Sequence, residues 1–119
     1  MTNCDTRIAT PEDIHRWFGG PPPVSLRAIV VEIDGKLEGI CGVQSVRGGV
    51  TCFSTLSVKC RQHKRAVVLG VRLLRKVLRD YQYVIAYATK DEPTADAFIR
   101  HVGFRHLGSS IEGEVYCYE

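Results

Sequence analysis

Residues 50–79 join an apolar, β-rich run, VTCFSTLSV, to a long amphipathic helix through the basic turn Lys59-Cys60-Arg61-Gln62-His63-Lys64-Arg65. A helix reached through a strand-to-helix turn presents unpaired backbone N–H groups and the positive end of its dipole. That arrangement suits a phosphate or pyrophosphate. Basic side chains in the same turn add charge-assisted hydrogen bonds to such an anion. A solvated, positively charged helix start is the competing reading of these residues.

From about Lys64 to Arg79, Val67, Val71, Leu74 and Leu78 repeat at helical spacing, and Ala66, Leu69, Leu73 and Val77 widen the stripe. Gly70 lies inside it at a cost of about 1 kcal/mol against Ala, so close packing is expected there. Eight basic residues stand between Lys59 and Arg79 (Lys59, Arg61, Lys64, Arg65, Arg72, Arg75, Lys76, Arg79), half of the chain's 16 Lys and Arg, with no acidic residue among them. Such a stripe is the footprint of an anionic ligand or partner. The water-facing side of a helix looks similar, but the absence of Glu and Asp favours the first reading.

The remaining elements follow from local signals. Thr6 to Ala9 reads as a first strand. Thr10-Pro11-Glu12-Asp13 then supplies an N-cap, a proline at the first helical position and acids in the first turn, predicting a helix through Phe18. Ile14, Trp17 and Phe18 form its apolar face, and Gly19-Gly20-Pro21-Pro22-Pro23 ends it as a stiff connector. Three antiparallel strands are expected next: Arg27–Ile33, Leu37–Val46 and Val50–Val58, joined by turns at Asp34-Gly35-Lys36 and Arg47-Gly48-Gly49. After the long helix come a strand at Tyr83–Ala88, a helix from Glu92-Pro93-Thr94 to Val102 stopped by Gly103, and strands near Phe104–Leu107 and Glu114–Tyr118. The predicted class is α+β: one mixed sheet with helices on both faces, in a single domain spanning 1–119.

Composition excludes several alternatives. With 45% hydrophobic and 24% charged residues the chain reads as a globular protein. No run approaches the roughly 20 apolar residues of a membrane helix, so no membrane partner is expected. The first residues, MTNCDTRIATPED, are polar and acidic where a signal peptide is basic and then apolar. A cytoplasmic location is expected, in a cell or in an infected host. The five cysteines are odd in number and form no C-x-x-C pair, and the four histidines lack metal-ligand spacing with them, so free thiols and no metal site are expected.

By its order of elements the sequence resembles the GNAT N-acetyltransferase superfamily. Two segments carry the likeness at motif level: Leu56-Ser57-Val58 with the basic turn and long helix, and Ala95-Asp96-Ala97-Phe98-Ile99-Arg100-His101-Val102-Gly103-Phe104. The resemblance implies acetyl-CoA as cofactor, bound in a cleft where the meander's third strand splays from the following strand. Carried over, Leu56 and Val58 face the pantetheine arm. The turn from Arg61 to Val68, with Arg61, Gln62, His63, Lys64, Arg65 and Ala66 as its contacts, holds the pyrophosphate.

The chain departs from the family pattern in the turn, where Lys64 replaces one expected glycine, Ala66 the next and Val68 a further small residue. Without glycines the backbone approaches a phosphate less closely. The family's asparagine opening the last helix and its general-acid tyrosine correspond to Glu92 and Ile99. Glu32, Tyr87 and His101 are the catalytic candidates that remain, against the plainer readings of a solvated acid, a packed aromatic and a surface histidine. The implied function is direct acetyl transfer from acetyl-CoA to an amine of unnamed class. The alternative is a non-catalytic GNAT-fold protein, such as the internal virion or interaction proteins of some phages, and the expected assemblies are a homodimer or a virion. An acceptor site is expected around Trp17 and Phe18. Nucleic-acid binding is disfavoured because the basic stripe lacks interleaved aromatic residues.

Overall fold

The computed structural model describes residues 3–88, 94–111 and 113–119. In chain order the elements are β1 (Cys4–Ile8), α1 (Pro11–Phe18), β2 (Leu26–Ile33), β3 (Lys36–Val46), β4 (Gly49–Leu56), α2 (Val58–Gln62), α3 (Lys64–Leu78), β5 (Val84–Ala88), α4 (Ala95–Val102), β6 (Arg105–Ser110) and β7 (Gly113–Tyr118). The strands form one sheet in the order β1-β2-β3-β4-β5-β7-β6, antiparallel throughout except where β4 meets β5 in parallel. This is the mixed α+β sheet that the sequence predicts. The described part of the helix expected from Glu92 runs from Ala95, and Glu92 itself lies outside the described residues.

Each turn answers to its residues. Asp34 and Gly35 both adopt positive φ (51° and 85°), the pairing a tight hairpin between twisted strands requires. Thr10 caps α1 reciprocally: its Oγ1 accepts from the Asp13 amide, and the Asp13 carboxylate accepts from the Thr10 amide. Gly19 then ends the helix in the left-handed region at φ 72°.

Asp13 was not foreseen as a core group. It is only 4% exposed, and Arg7 grips it through Nη2 at 2.6 Å and Nε at 3.1 Å. Arg7 also donates to Asp5 and Glu32, and Arg16 donates to Glu32. This cluster fixes α1 to β1 and β2. A buried carboxylate is tolerable only with such pairing, since removing one partner leaves an uncompensated charge.

The two faces of the sheet are covered differently. On one, Ile29, Cys41, Val43, Val84 and Ala86 pack against Val71, Leu74, Val77 and Leu78 of α3 and Ile99 and Val102 of α4. On the other, Ala28, Val30 and Ile40 are covered by Trp17 of α1, with Phe53 alongside. Arg75 ties the two helices of the first face together, donating to the carbonyls of His101 and Val102 at 2.8 Å. A cation on the last carbonyls of α4 satisfies acceptors that the helix itself leaves open.

Two glycines behave in opposite ways. A Cβ on Gly42 falls 2.1 Å from the Arg27 carbonyl oxygen of the neighbouring strand, which is backbone and cannot move aside. A Cβ on Gly70 meets only Thr6 Cγ2 at 3.9 Å, an ordinary contact, so the close packing expected at Gly70 is not what places it there. Gly42→Ala is therefore expected to destabilise by about 2–3 kcal/mol. Gly70→Ala is expected to stabilise by about 0.5–1 kcal/mol through helix propensity. Urea midpoints of the two variants against the parent check both signs.

The Arg7 guanidinium holds the Asp13 carboxyl down at about 2, below its ordinary value. A depressed carboxylate stabilises the fold above the unfolded-state value of about 4, and that stability drains away as pH falls from there towards about 2. Asp13→Asn is expected to flatten this part of the acid-denaturation curve while lowering the plateau at neutral pH, which circular dichroism across the pH range would read.

Candidate functional site

The parallel ladder between β4 and β5 has only two pairs, Thr51↔Ile85 and Cys52↔Ala86. Beyond Cys52, the β4 residues Phe53 to Leu56 have no partner in β5 among the described residues, although they stay paired with β3 as far as Gly39↔Leu56. On its other side β5 is paired with β7 along its whole length. The two strands therefore diverge into a wedge, as the resemblance implied. Residues of a strand address their two neighbours alternately, so every second residue from Phe53 to Leu56 turns its N–H and C=O into the opening.

Two contiguous cavities fill the wedge. The outer one, of about 270 Å³, is bounded by Cys52, Phe53 and Ser54 of β4, Ala86 and Tyr87 of β5, and Ile99 of α4, among others. The inner one, of about 140 Å³, runs from Ser54, Thr55 and Leu56 past Val67 to Arg61. Ser54, Ala95 and Phe98 border both. The walls are mainly apolar, with the polar strand edge along one side and a guanidinium at one end. Arg61 Nη1 donates to Thr94 Oγ1 at 2.9 Å, which spans the mouth from the turn to the start of α4. Tyr116, buried on β7, donates its O–H to Asp96 and so anchors the same helix from below.

The turn leading to α3 differs from the expected loop. β4 stops at Leu56 instead of continuing to Val58, because Ser57 caps a short helix, α2, by accepting from the Cys60 amide at 3.0 Å. Val58 opens that helix, is 58% exposed and does not line the cavities. Cys60 is buried against Val31, Ile33, Ala66 and Leu56. Gly39 leaves room for it, since a Cβ there would come within 2.8 Å of the Cys60 sulfur. Two helical segments thus replace a glycine-rich loop. No residue from Ser57 to Val68 has positive φ, so the backbone itself does not demand glycine here.

The basic residues of this region divide between two places. Leu56 and Arg61 line the inner cavity. Gln62 closes α2, exposed and outside both cavities. His63 caps α3, its Nδ1 accepting from the Ala66 amide at 3.3 Å while its carbonyl accepts from Val67. The imidazole therefore satisfies one amide of the helix start, and the amides of Lys64 and Arg65 carry no side-chain cap. The side chains of His63, Lys64, Arg65 and Ala66 line a separate groove of about 690 Å³ on the β1 side of α3.

Of the three catalytic candidates, only Tyr87 reaches the wedge, 43% exposed and with no hydrogen-bond partner among the described residues. Glu32 lies three strands away from β5, held below its ordinary range by Arg16 and Arg7, and serves the clamp on α1. His101 is exposed on α4 and lines neither cavity. Ile99, only 7% exposed, lines the outer cavity, so the position carried over from the family faces the cleft without a proton to give. Trp17 is packed against the sheet under α1, beside Phe53, while Phe18 is partly exposed. Sequence reasoning did not pick out Cys52, Ser54, Ala95 or Phe98 as cleft residues. Their signal lay in the register of β4 against β5, which no local pattern carries. Among the described residues no group of three or more metal-ligating side chains comes together, and no helix is long and apolar enough to cross a membrane.

No protein-family model matches the sequence, and no curated protein matches it either. Solved structures do. An N-acetyltransferase from Staphylococcus aureus Mu50 superposes with a TM-score of 0.69 at 14% identity, covering 98% of both chains. yncA from Salmonella typhimurium, assigned as an acetyltransferase and solved with its cofactor acetyl-CoA, gives a TM-score of 0.70 at 12% identity over 98% of this chain and 93% of that one. An acetyltransferase from Agrobacterium tumefaciens C58 gives 0.62 at 16% identity, with 89% of this chain spanning 64% of the larger protein. At such identities the likeness is one of architecture. The chain has the GNAT fold.

Proposed function

We propose that the chain is an acetyl-CoA-dependent N-acetyltransferase that passes the acetyl group directly to an amine. The observation that carries this reading is the ladder that stops at Cys52↔Ala86, leaving a strand edge open along an apolar cleft that ends at a guanidinium. The cleft fits the group: amides of a pantetheine arm match the unpaired N–H and C=O groups of Phe53 to Leu56, in the manner of an added strand. Arg61, together with the uncapped amides of Lys64 and Arg65, supplies positive charge for the pyrophosphate. Bound there, acetyl-CoA brings an acyl group already activated as a thioester.

The chain's own residues then do three things. Backbone N–H groups in the wedge would polarise the acyl carbonyl of bound acetyl-CoA. The two diverging strands and the floor of α4 hold donor and acceptor at contact distance, which supplies much of a bimolecular reaction's barrier lowering. Tyr87, standing in the outer cavity where Ile99 offers no proton, would donate to the departing thiolate and regain its proton, through water, from the ammonium formed as the amine attacks. Cys52, the last paired position of β4, borders the outer cavity, but burial pushes its thiol up to about 12. A thiol so rarely ionised is a poor nucleophile, so an acetyl-cysteine route is disfavoured and the amine attacks directly.

A second reading, a non-catalytic GNAT-fold interaction protein, draws on two observations: Ile99 at the tyrosine position and His63 occupying one amide of the helix start. Calorimetry with acetyl-CoA and a thiol-release assay with a panel of polyamines and peptide amines separate the two. Binding with turnover is expected; binding without turnover favours the second reading, and no binding at millimolar cofactor overturns the first. Arg61→Ala is expected to weaken acetyl-CoA binding about tenfold, and Ala95→Trp to abolish it by filling both cavities. Tyr87→Phe is expected to lower kcat about 100-fold with little change in KM. Mass spectrometry after iodoacetamide treatment at about pH 8 should find Cys52 unmodified in the folded protein, since few of its thiols are ionised there.

A further inference from the structure

The groove on the β1 side of α3 belongs to neither wedge cavity. It is the largest of the three, about 690 Å³, and among the described residues no acidic side chain lines it. Arg65, Val68, Leu69 and Arg72 face it at spacings of three, one and three residues, a single flank of the helix. Cys4 and Thr6 of β1 form the opposite wall. Leu69, expected from the sequence to widen the core stripe, is instead 43% exposed here, and Val68 is 46% exposed. Lys64, Arg65 and Arg72 have no acidic partner among the described residues, whereas Lys59 pairs with Asp34, Arg61 bonds Thr94 and Arg75 caps α4. Three cations of the basic stripe without a structural task, Lys64, Arg65 and Arg72, thus face this groove together.

The other wall is a sheet edge. β1 pairs with β2 alone, so among the described residues its outer side is a row of unpaired N–H and C=O groups. A free edge of this kind is a template for an added strand. Asp5 and Arg7, its charged residues, are already paired with one another and lie on the opposite face from Cys4 and Thr6. A second copy of the chain would bring one cationic groove against another, and like charges at close range oppose that contact. A nucleic acid would meet the charge, but among the described residues no aromatic side chain lines the groove to stack a base.

We propose that this groove docks an extended acidic peptide of a protein partner, which adds to the free edge of β1. Its alternate side chains point towards α3, where carboxylates meet Lys64, Arg65 and Arg72 and apolar side chains cover Val68 and Leu69. The groove borders the proposed pyrophosphate site only at the backbone of Lys64 and Arg65; its side chains lie on the flank of α3 opposite Val67, which lines the acetyl-CoA cleft.

The test uses the whole chain and a fluorescein-labelled peptide of alternating glutamate and valine, about eight residues long to match a strand. Fluorescence anisotropy is expected to show binding that weakens with added salt. Arg72→Glu and Leu69→Glu, both at exposed positions, are each expected to weaken it at least about tenfold with unfolding midpoints retained. A peptide with proline at every second position is expected not to bind, because it lacks the N–H groups for strand pairing. Slowed amide exchange at residues 4–8 on peptide binding is the direct signature of strand addition. Equal binding of the proline peptide, or tighter binding of a single-stranded oligonucleotide than of the acidic peptide, would overturn the proposal. So would displacement of the peptide by acetyl-CoA, since the groove would then belong to the cofactor site.

Discussion

Two hydrogen-bond ladders compete for the middle of the sheet, and the site exists because neither yields. β4 is tied to β3 through eight pairs, and β5 to β7 through five, while β4 and β5 share only two. Neighbouring strands in a twisted sheet rotate by roughly 20–25° against one another. When each central strand follows its own outer partner, the rotation opens a gap between them. Gly42 lets β3 lie close against β2, because a Cβ there would strike the Arg27 backbone. The gap is stabilised from one side by α4, whose Ala95, Phe98 and Ile99 stand over it without filling it. Ala95 leaves space where Phe98 and Ile99 form a floor, so the cleft keeps an opening.

Electrostatics on this chain is compartmentalised. Around α1 the charges are neutralised locally: Arg7 and Arg16 bind Asp13 and Glu32, and their carboxyls are driven low in consequence. Such acids are poor proton acceptors at neutral pH, which removes Glu32 from catalysis on chemical as well as geometric grounds. Around α3 the opposite holds. Among the described residues, Lys64, Arg65 and Arg72 on its outer flank have no local counter-charge, while Arg75 on the α4 side is committed to the fold through the two carbonyls it caps. A helix that invests one arginine in packing and leaves the others open has surface charge to spare for anionic ligands.

The elements themselves were legible in the sequence because their signals are local. Thr10-Pro11-Glu12-Asp13 announces α1, Asp34-Gly35 the first hairpin, and the apolar spacing from Val67 to Leu78 the long helix, and each is found where the residues place it. The splayed wedge came from family likeness, not from periodicity. What stayed hidden depends on distant pairs. Ser57 reads as a strand residue until its hydroxyl is seen to cap the Cys60 amide, which shortens β4 and moves Val58 out of the cleft. Asp13 reads as a surface acid of a first helical turn until Arg7, six residues earlier, folds over it. The basic turn reads as one site, although a helix start points its side chains to different sides, and so Arg61 parts company with Lys64 and Arg65.

The loss of glycines and of the tyrosine bears unequally on the proposed chemistry. Glycine matters in a phosphate turn where the backbone needs positive φ or the anion needs room against it. Here α2 and α3 follow one another with ordinary helical dihedrals, so only the second need survives, and longer cations at the same turn answer it by reaching outward. The missing proton donor matters less than its prominence in the family implies. A positioned acid is worth about 10²–10⁴ in rate, whereas holding two reactants in register is worth effective concentrations of about 10⁵ M and upward. A thiolate is moreover a stable leaving group, with an ordinary thiol value of about 8.5, so its departure does not require simultaneous protonation. Geometry, which this chain keeps, therefore outweighs the acid, which in the proposed mechanism has moved to Tyr87.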